Sequence, residues 1–296
     1  PLRSPITTGR EGDGVPATAR ERAPLHRRRL GRQLQKLREQ AGLTQRAAAK
    51  RLHYSDSKIS RFEAGQLPDY HGMCAMLDLY SLTYDQWDAY KEMWEIAAEP
   101  GWWAMYKLDN QGYVSMEHEA VSVREFQPCF IPGLLQTEAY TRMFFDKSLV
   151  PRSRKAINNQ VEVRTRRQER VTGKENPLIF EAIIQECVLS RPEGDKAMYR
   201  AQLLRIVERA ALPNVTVRVL PEAYGVHGGL VGALTLLSFP DKEDDDVVYL
   251  EHALGANHTD NAIEVTAGKL RIDHVRRLAL DPAQSMEFVE RMAAEL

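Results

Sequence analysis

The stretch Leu43–Gly65, LTQRAAAKRLHYSDSKISRFEAG, constrains the fold more than any other part of the chain. It holds two short helix patterns, each opened by a residue suited to capping. Thr44 precedes Gln45–Leu52, and Ser55 precedes a helix running to about Ala64, where Gly65 ends it. A hydroxyl at such a position accepts a bond from an otherwise unpaired N–H of the first turn. Only His53 and Tyr54 break the two patterns before Ser55, so the helices are expected to pack nearly at right angles. Close packing of that kind needs small side chains, and Ala48 and Ala49 supply them. Leu52, Tyr54, Ile59 and Phe62 are spaced to lock the pair onto an earlier helix. That helix is predicted from Leu25, because Leu30, Leu34 and Leu37 recur at i, i+4 and i+7, and Gly42 supplies its C-terminal stop. The turn between the paired helices wants a left-handed residue, and His is among the non-glycine types enriched there.

This is the layout of a helix-turn-helix, in which the second helix of the pair lies in a major groove. The rival reading is a helical hairpin inside an unrelated bundle, and charge weighs against it. Residues 1–64 carry 15 Lys+Arg and 6 Asp+Glu, a formal +9, while the other 232 carry 25 and 35, a formal -10. Such asymmetry suggests that the basic end meets a polyanion. The segment also resembles the Xre/Cro-repressor type of helix-turn-helix, through its Leu-Thr-Gln opening, its central alanines and the run Ser57-Lys58-Ile59-Ser60-Arg61-Phe62-Glu63-Ala64-Gly65. It departs from that pattern at His53, where glycine is usual. In such domains the N-terminal part of the recognition helix faces base edges. Asp56, Ser57, Ser60 and Arg61 are therefore the candidates for reading sequence: Arg61 can grip guanine bidentately, and Asp56 can accept from cytosine N4. Gln45, opening the preceding helix, is placed to bind phosphate through its side chain and the helix N-terminus, with Arg46 and Lys58 as further phosphate candidates. Ile59 and Phe62 are core, and Glu63 is structural, since a carboxylate so close to DNA would otherwise repel it.

A length of 296 residues suggests about two domains. Residues 1–24, rich in Pro, Gly, Thr and Arg, read as a disordered arm. Residues 25–82 form the helix-turn-helix domain, 83–110 a helical connector and 111–296 a regulatory domain. Helices are expected at about 70–80 and 84–98, then at 114–126, 136–146, 153–171, 195–211, 260–280 and 282–295. Strands are expected at Leu178–Ile184, at Asn214–Leu220 with Val215, Val217 and Val219 on one face, at Leu230–Phe239 and at Val247–His252. The fold class is multidomain: an all-α N-terminal helix-turn-helix bundle and an α/β (α+β) C-terminal domain with a mixed sheet.

Three scattered cysteines fit a reducing cytosol rather than a disulfide scaffold. The longest apolar run, Gly229–Phe239, is about half the ~20 residues that span a bilayer. Arg3, Arg10, Glu11, Asp13 and Arg20 interrupt any signal-peptide pattern. A cytoplasmic protein away from membranes is expected. Catalytic signatures are missing: there is no GxSxG elbow, HExxH or Walker loop, so no catalytic residue, metal ligand or cofactor is assigned. Gly225, Gly228, Gly229 and Gly232 suit a hairpin turn better than a ligand loop. His252, His258 and Asp260 match no standard metal spacing, and Asp241–Asp246 reads as a solvated hairpin loop without an EF-hand pattern. Arg164, Arg166, Arg167 and Arg170 read as a salt-bridged solvent face rather than an anion site. Trp94, Trp102 and Trp103 fall at the domain junction, where inter-domain packing is favoured over a pocket.

Pro128–Thr137, PCFIPGLLQT, continues through Glu138-Ala139-Tyr140. After it come Arg164–Gln168, Gln185–Leu189, Arg191-Pro192, Gln202-Leu203, Pro213–Val217, Val219–Pro221 and Val248–Glu251. This series, in this order, is similar to actinomycete regulators that join an Xre-type helix-turn-helix to an uncharacterised C-terminal domain, the WhiJ-like proteins. The resemblance implies a regulator often paired with a small partner protein, in an antitoxin-like or developmental arrangement, and it supplies no ligand. The leading expectation is a dimeric, sequence-specific transcriptional regulator of double-stranded DNA, since one helix-turn-helix reads only a half-site. Its C-terminal domain would bind an effector or partner. The alternatives are an antitoxin-like module that sequesters a small partner, and a DNA-targeted enzyme with an unidentified active site.

Overall fold

The computed structural model describes residues 24–106, 108, 111–191, 194–241, 244–252 and 255–296. The arm expected at 1–24 lies, apart from Pro24, outside the described residues. Five helices open the described chain: α1 (Leu25–Gln40), α2 (Gln45–Arg51), α3 (Asp56–Glu63), α4 (Tyr70–Leu79) and α5 (Tyr84–Ala98). Each boundary from α2 onward has a local cause. Thr44, Ser55 and Asp69 accept from the backbone N–H groups of Ala47, Lys58 and Gly72, and Thr83 forms a capping box with Gln86. Gly42, His53 and Gly65 take positive φ at 69°, 55° and 102°, so the left-handed turn expected at His53 is present. Leu30, Leu34, Ala48, Ala49, Ile59, Phe62, Met73 and Leu77 pack into one apolar core. Burying each large apolar side chain there stabilises the bundle by ~1.5–3 kcal/mol.

A single turn at Trp102–Tyr106 leads into the second unit. It runs α6 (Gln111–Glu119), β1 (Ser122–Gln127), α7 (Glu138–Asp146), α8 (Arg154–Thr172), β2 (Ile179–Gln185), α9 (Glu186–Leu189), α10 (Lys196–Ala210) and β3 (Val215–Leu220), then β4 (Leu234–Ser238), β5 (Val247–His252), β6 (Gly255–Thr259), α11 (Ala262–Leu278) and α12 (Pro282–Ala294). The sheet order is β3-β2-β1-β4-β5-β6, parallel across β3-β2-β1 and antiparallel from β1 to β6. Alternation along the strands gives two buried faces. Val123, Phe180, Ala182, Ile184, Val215, Val217 and Val219 point into the larger core with α10 and α12, while Phe126, Ile183, Leu220 and Leu236 meet Val265, Ile272 and Val275 of α11. The chain thus has the expected class, a helical bundle followed by an α/β unit with a mixed sheet.

Four local expectations fail for identifiable reasons. The helix predicted at 114–126 stops at Glu119, and its remainder is β1, a central strand whose Arg124 and Glu125 hide the apolar alternation. β6 was not foreseen because it is an edge strand, Gly-Ala-Asn-His-Thr, with no buried face to pattern it. The glycine-rich stretch is no hairpin turn: it carries the chain from edge strand β3 across to β4, with Gly225 and Gly232 at φ 63° and 141°. The acidic loop after β4 is not simply solvated, because Asp244 is buried. Arg29 reaches it at 2.9 Å and Arg32 closes on its other oxygen.

That ion cluster joins the two units, and the first turns of α1 extend the joint. Leu25 lies in the core of the α/β unit, its amide donates to Glu119 at 2.7 Å, and the Arg28 guanidinium sits 5.6 Å over the Phe239 ring. α1 is therefore shared: its N-terminal turns grip the α/β unit, and Leu30 and Leu34 serve the bundle.

Candidate nucleic-acid interface

The recognition helix divides cleanly by face. Ile59 and Phe62 are buried in the bundle, whereas Asp56, Ser57, Ser60 and Arg61 are exposed. Gly31 of α1 allows the close approach behind this helix. A Cβ there would come within 2.6 Å of the carbonyl oxygens of both Phe62 and Glu63, which no side chain tolerates without a backbone shift. Sequence reading missed this glycine because nothing in α1 itself requires it.

Glu63 is structural, as expected, and its partners form a brace. Arg38, at the end of α1, donates through Nε to Glu63 at 2.5 Å and through a second nitrogen at 3.1 Å. A third Arg38 nitrogen holds the Leu43 carbonyl at 2.6 Å, fixing the entry to α2. The Glu63 hydrogen bond, burial notwithstanding, raises the Arg38 pKa above its ordinary value. Nothing in the spacing of α1 singles out Arg38; its role emerges once α1 and α3 are adjacent.

The phosphate candidates are placed unequally. Gln45 opens α2, and its side-chain amide already donates to Glu63 at 2.7 Å. Arg46 is exposed on the first turn of α2. Lys58 is half-buried, its ammonium 3.7 Å from the Tyr54 ring centroid, a cation–π contact that holds the charge close to the helix. Ser57 shares a hydroxyl contact of 3.0 Å with the cap Ser55, and Arg61 donates through Nε to the Ser57 carbonyl at 3.3 Å. Asp56 in the first turn also complements the helix dipole, a local role beside any base contact. Part of the basic charge is spent inside the chain: Arg29, Arg32 and Arg38 are paired with carboxylates.

The arginines of α8 are not a salt-bridged solvent face. Arg167 is buried and bidentate with Glu117, both contacts at 2.6 Å, and lies over the Tyr113 ring. Burial works against its charge, but Glu117 outweighs that and holds its pKa above the ordinary value. Arg164 donates to Gln136 at 2.6 Å, Gln168 to the carbonyls of Gly133 and Gln136, and Gln202 to that of Leu135. The motifs PGLLQT, RTRRQ and QL are thus one hydrogen-bonded assembly around the loop after β1. Arg166 stacks on Trp102 at 4.4 Å, and Trp103 packs with Tyr106, Leu108, Val114 and Val163. Among the described residues no group of three or more His, Cys, Asp or Glu is placed to hold a metal ion. No helix among them is long and apolar enough to cross a membrane.

Beside that assembly lies Glu125, whose carboxyl is pushed up to about 7, first by burial and then by Glu117 and Glu251, with Gln127 and Arg167 opposing. The folded state therefore binds this proton more tightly than the unfolded chain. Its stabilising effect is complete below the ordinary carboxylate range and is lost as pH rises through about 7. Glu125→Gln should flatten the fall in stability between about pH 5 and 8 and gain up to about 3 kcal/mol at the alkaline end. Urea unfolding at stepped pH reads this directly; an unchanged slope would move the proton elsewhere.

Capped α2 and α3, a left-handed turn between them and an outward polar face define a helix-turn-helix, the DNA-binding module of transcription regulators. Residues 29–89 match the family described as helix-turn-helix domain. Residues 111–291, more than half of the chain, match the domain of unknown function DUF5753, and the chain belongs to that family. No curated protein and no solved structure matches it.

Proposed function

We propose that this chain is a sequence-specific transcriptional regulator of the Xre/Cro type, binding double-stranded DNA as a homodimer through α3. The observation that carries the reading is the split of α3, with Asp56, Ser57, Ser60 and Arg61 outward and Ile59, Phe62 and Glu63 holding the helix from behind. Dimerisation follows from half-site geometry: one recognition helix covers one half-site, and paired half-sites lie about one helical turn apart. The DUF5753 unit acts as the regulatory part, responding to an effector or to a small partner protein as in WhiJ-like, antitoxin-like regulators of actinomycetes. It carries no catalytic activity of its own, and the protein works in the cytoplasm.

Genome-wide footprinting of the tagged full chain supplies the operator. On that operator Arg61→Ala should weaken specific binding by ~1–3 kcal/mol and relax the preference at one base pair. A uniform loss over all sequences with a shallower salt slope would reassign Arg61 to phosphate. Arg46→Ala should produce that uniform loss. Turnover of generic ester, phosphate or nucleotide substrates by the full chain would overturn the non-enzymatic part.

A further inference from the structure

A cleft of about 980 Å³ separates the end of α3 from the α/β unit. Arg27 of α1 and Arg61 of α3 line it, with Asp260 the carboxylate among the described lining residues. α6 opens into it by its N-terminus at Gln111, adding the positive end of a helix dipole to the same space. Excess positive charge within a walled cleft concentrates anions. Four residues along α6, Ser115 also lines the cleft; it is only 4% exposed, and its hydroxyl has no hydrogen-bond partner among the described residues. Buried hydroxyls are nearly always paired, so this one points to a missing acceptor or donor.

We propose that the cleft binds a compact organic anion bearing phosphate or carboxylate groups, held by Arg61 and the opening of α6. The inference rests on the DNA-binding reading in one respect: Arg61 serves both sites. A guanidinium occupied by the anion is withdrawn from guanine, so the ligand releases operator. Gln111, Ser115 and Asp260 on the opposite wall come from the α/β unit, which gives that unit a direct route to the reading helix without any large rearrangement.

The test has two arms, both on the full chain. Calorimetry without DNA uses ATP, citrate and inorganic phosphate as separate probes at millimolar concentration, and mobility shift then measures operator affinity with and without each. At least one probe should bind, and its saturation should lower operator affinity by about 5- to 150-fold, the usual span of coupling between sites. Gln111→Glu places a carboxylate at the cleft wall. It should weaken the anion about tenfold or more. Ser115→Ala should weaken the anion while keeping the fold. Binding of ATP and phosphate over citrate assigns the phosphate group; the reverse order assigns carboxylate. Binding by none of the three, or binding that both variants leave unaltered, overturns the proposal. A chain that binds the anion yet no operator would sink the DNA reading alone, and operator binding indifferent to a bound anion would sink the shared role of Arg61.

Discussion

Arg38→Ala is expected to cost about 3–5 kcal/mol of stability, because it strands a buried carboxylate rather than merely removing a contact. The side chains of Arg38 and Glu63 are 8% and 5% exposed, and among the described residues Glu63 would keep only the Gln45 amide as a partner. The Leu43 carbonyl would also lose its donor, loosening the turn between α1 and α2. Since Glu63 ends the recognition helix, the damage reaches the DNA-facing side: operator affinity should fall even at temperatures where the variant remains folded. Urea unfolding followed by circular dichroism measures the first effect and mobility shift the second. The double variant Arg38→Met/Glu63→Leu separates charge from shape. Replacing both partners by apolar groups removes the stranded charge, so most of the stability should return, to within about 1–2 kcal/mol of the parent. A single-variant loss under about 1 kcal/mol would mean that the pair is as weakly coupled as an exposed one.

What the sequence made legible was local. Caps at Thr44 and Ser55, the left-handed His53 and the exposed face of α3 each follow from a few neighbouring residues, and the structure has them all. The valine alternation of β3 was readable for the same reason: one buried face imposes a period of two. What escaped depends on chain segments far apart. Gly31 matters only because the backbone of Phe62 and Glu63 passes 2.6 Å from where its Cβ would stand. Arg29 and Arg32 count toward basic charge in any composition, yet both close on Asp244, more than two hundred residues away. β1 lies between β2 and β4 with Glu125 inside it, so its central position contradicts its polarity until the protonatable cluster around it is known. Of the seven candidate DNA residues, Asp56, Ser57, Ser60, Arg61 and Arg46 are on the surface as helical periodicity requires, while Gln45 and Lys58 have internal partners that no spacing rule foretells.

The α/β unit should respond most strongly to Glu117→Ala. Glu117 and Arg167 are 3% and 9% exposed, and their two bonds of 2.6 Å satisfy both groups. Without the carboxylate, Arg167 keeps a buried charge beside Arg164, again a loss of about 3–5 kcal/mol. This site differs from the Arg38 brace in having a second carboxyl nearby. Glu125 is held near 7 by burial, with Glu117 contributing as a like charge. Deleting Glu117 removes that repulsion and leaves Arg167 in need of a counter-charge, so Glu125 should ionise at lower pH and recover part of the loss. The single variant should therefore be hurt least at alkaline pH, where Glu125 is charged. Glu117→Ala/Glu125→Gln removes this rescue, and its loss at pH 8 should exceed the sum of the two single effects; simple addition would show that Glu125 and Arg167 do not interact. The same coupling explains why a charged residue is tolerated at the centre of the sheet. An acidic side chain in β1 lies in the field of Arg167 on α8, whose neighbours Arg164 and Gln168 tie down the PGLLQT loop, so the polarity that concealed the strand belongs to the network beside that loop.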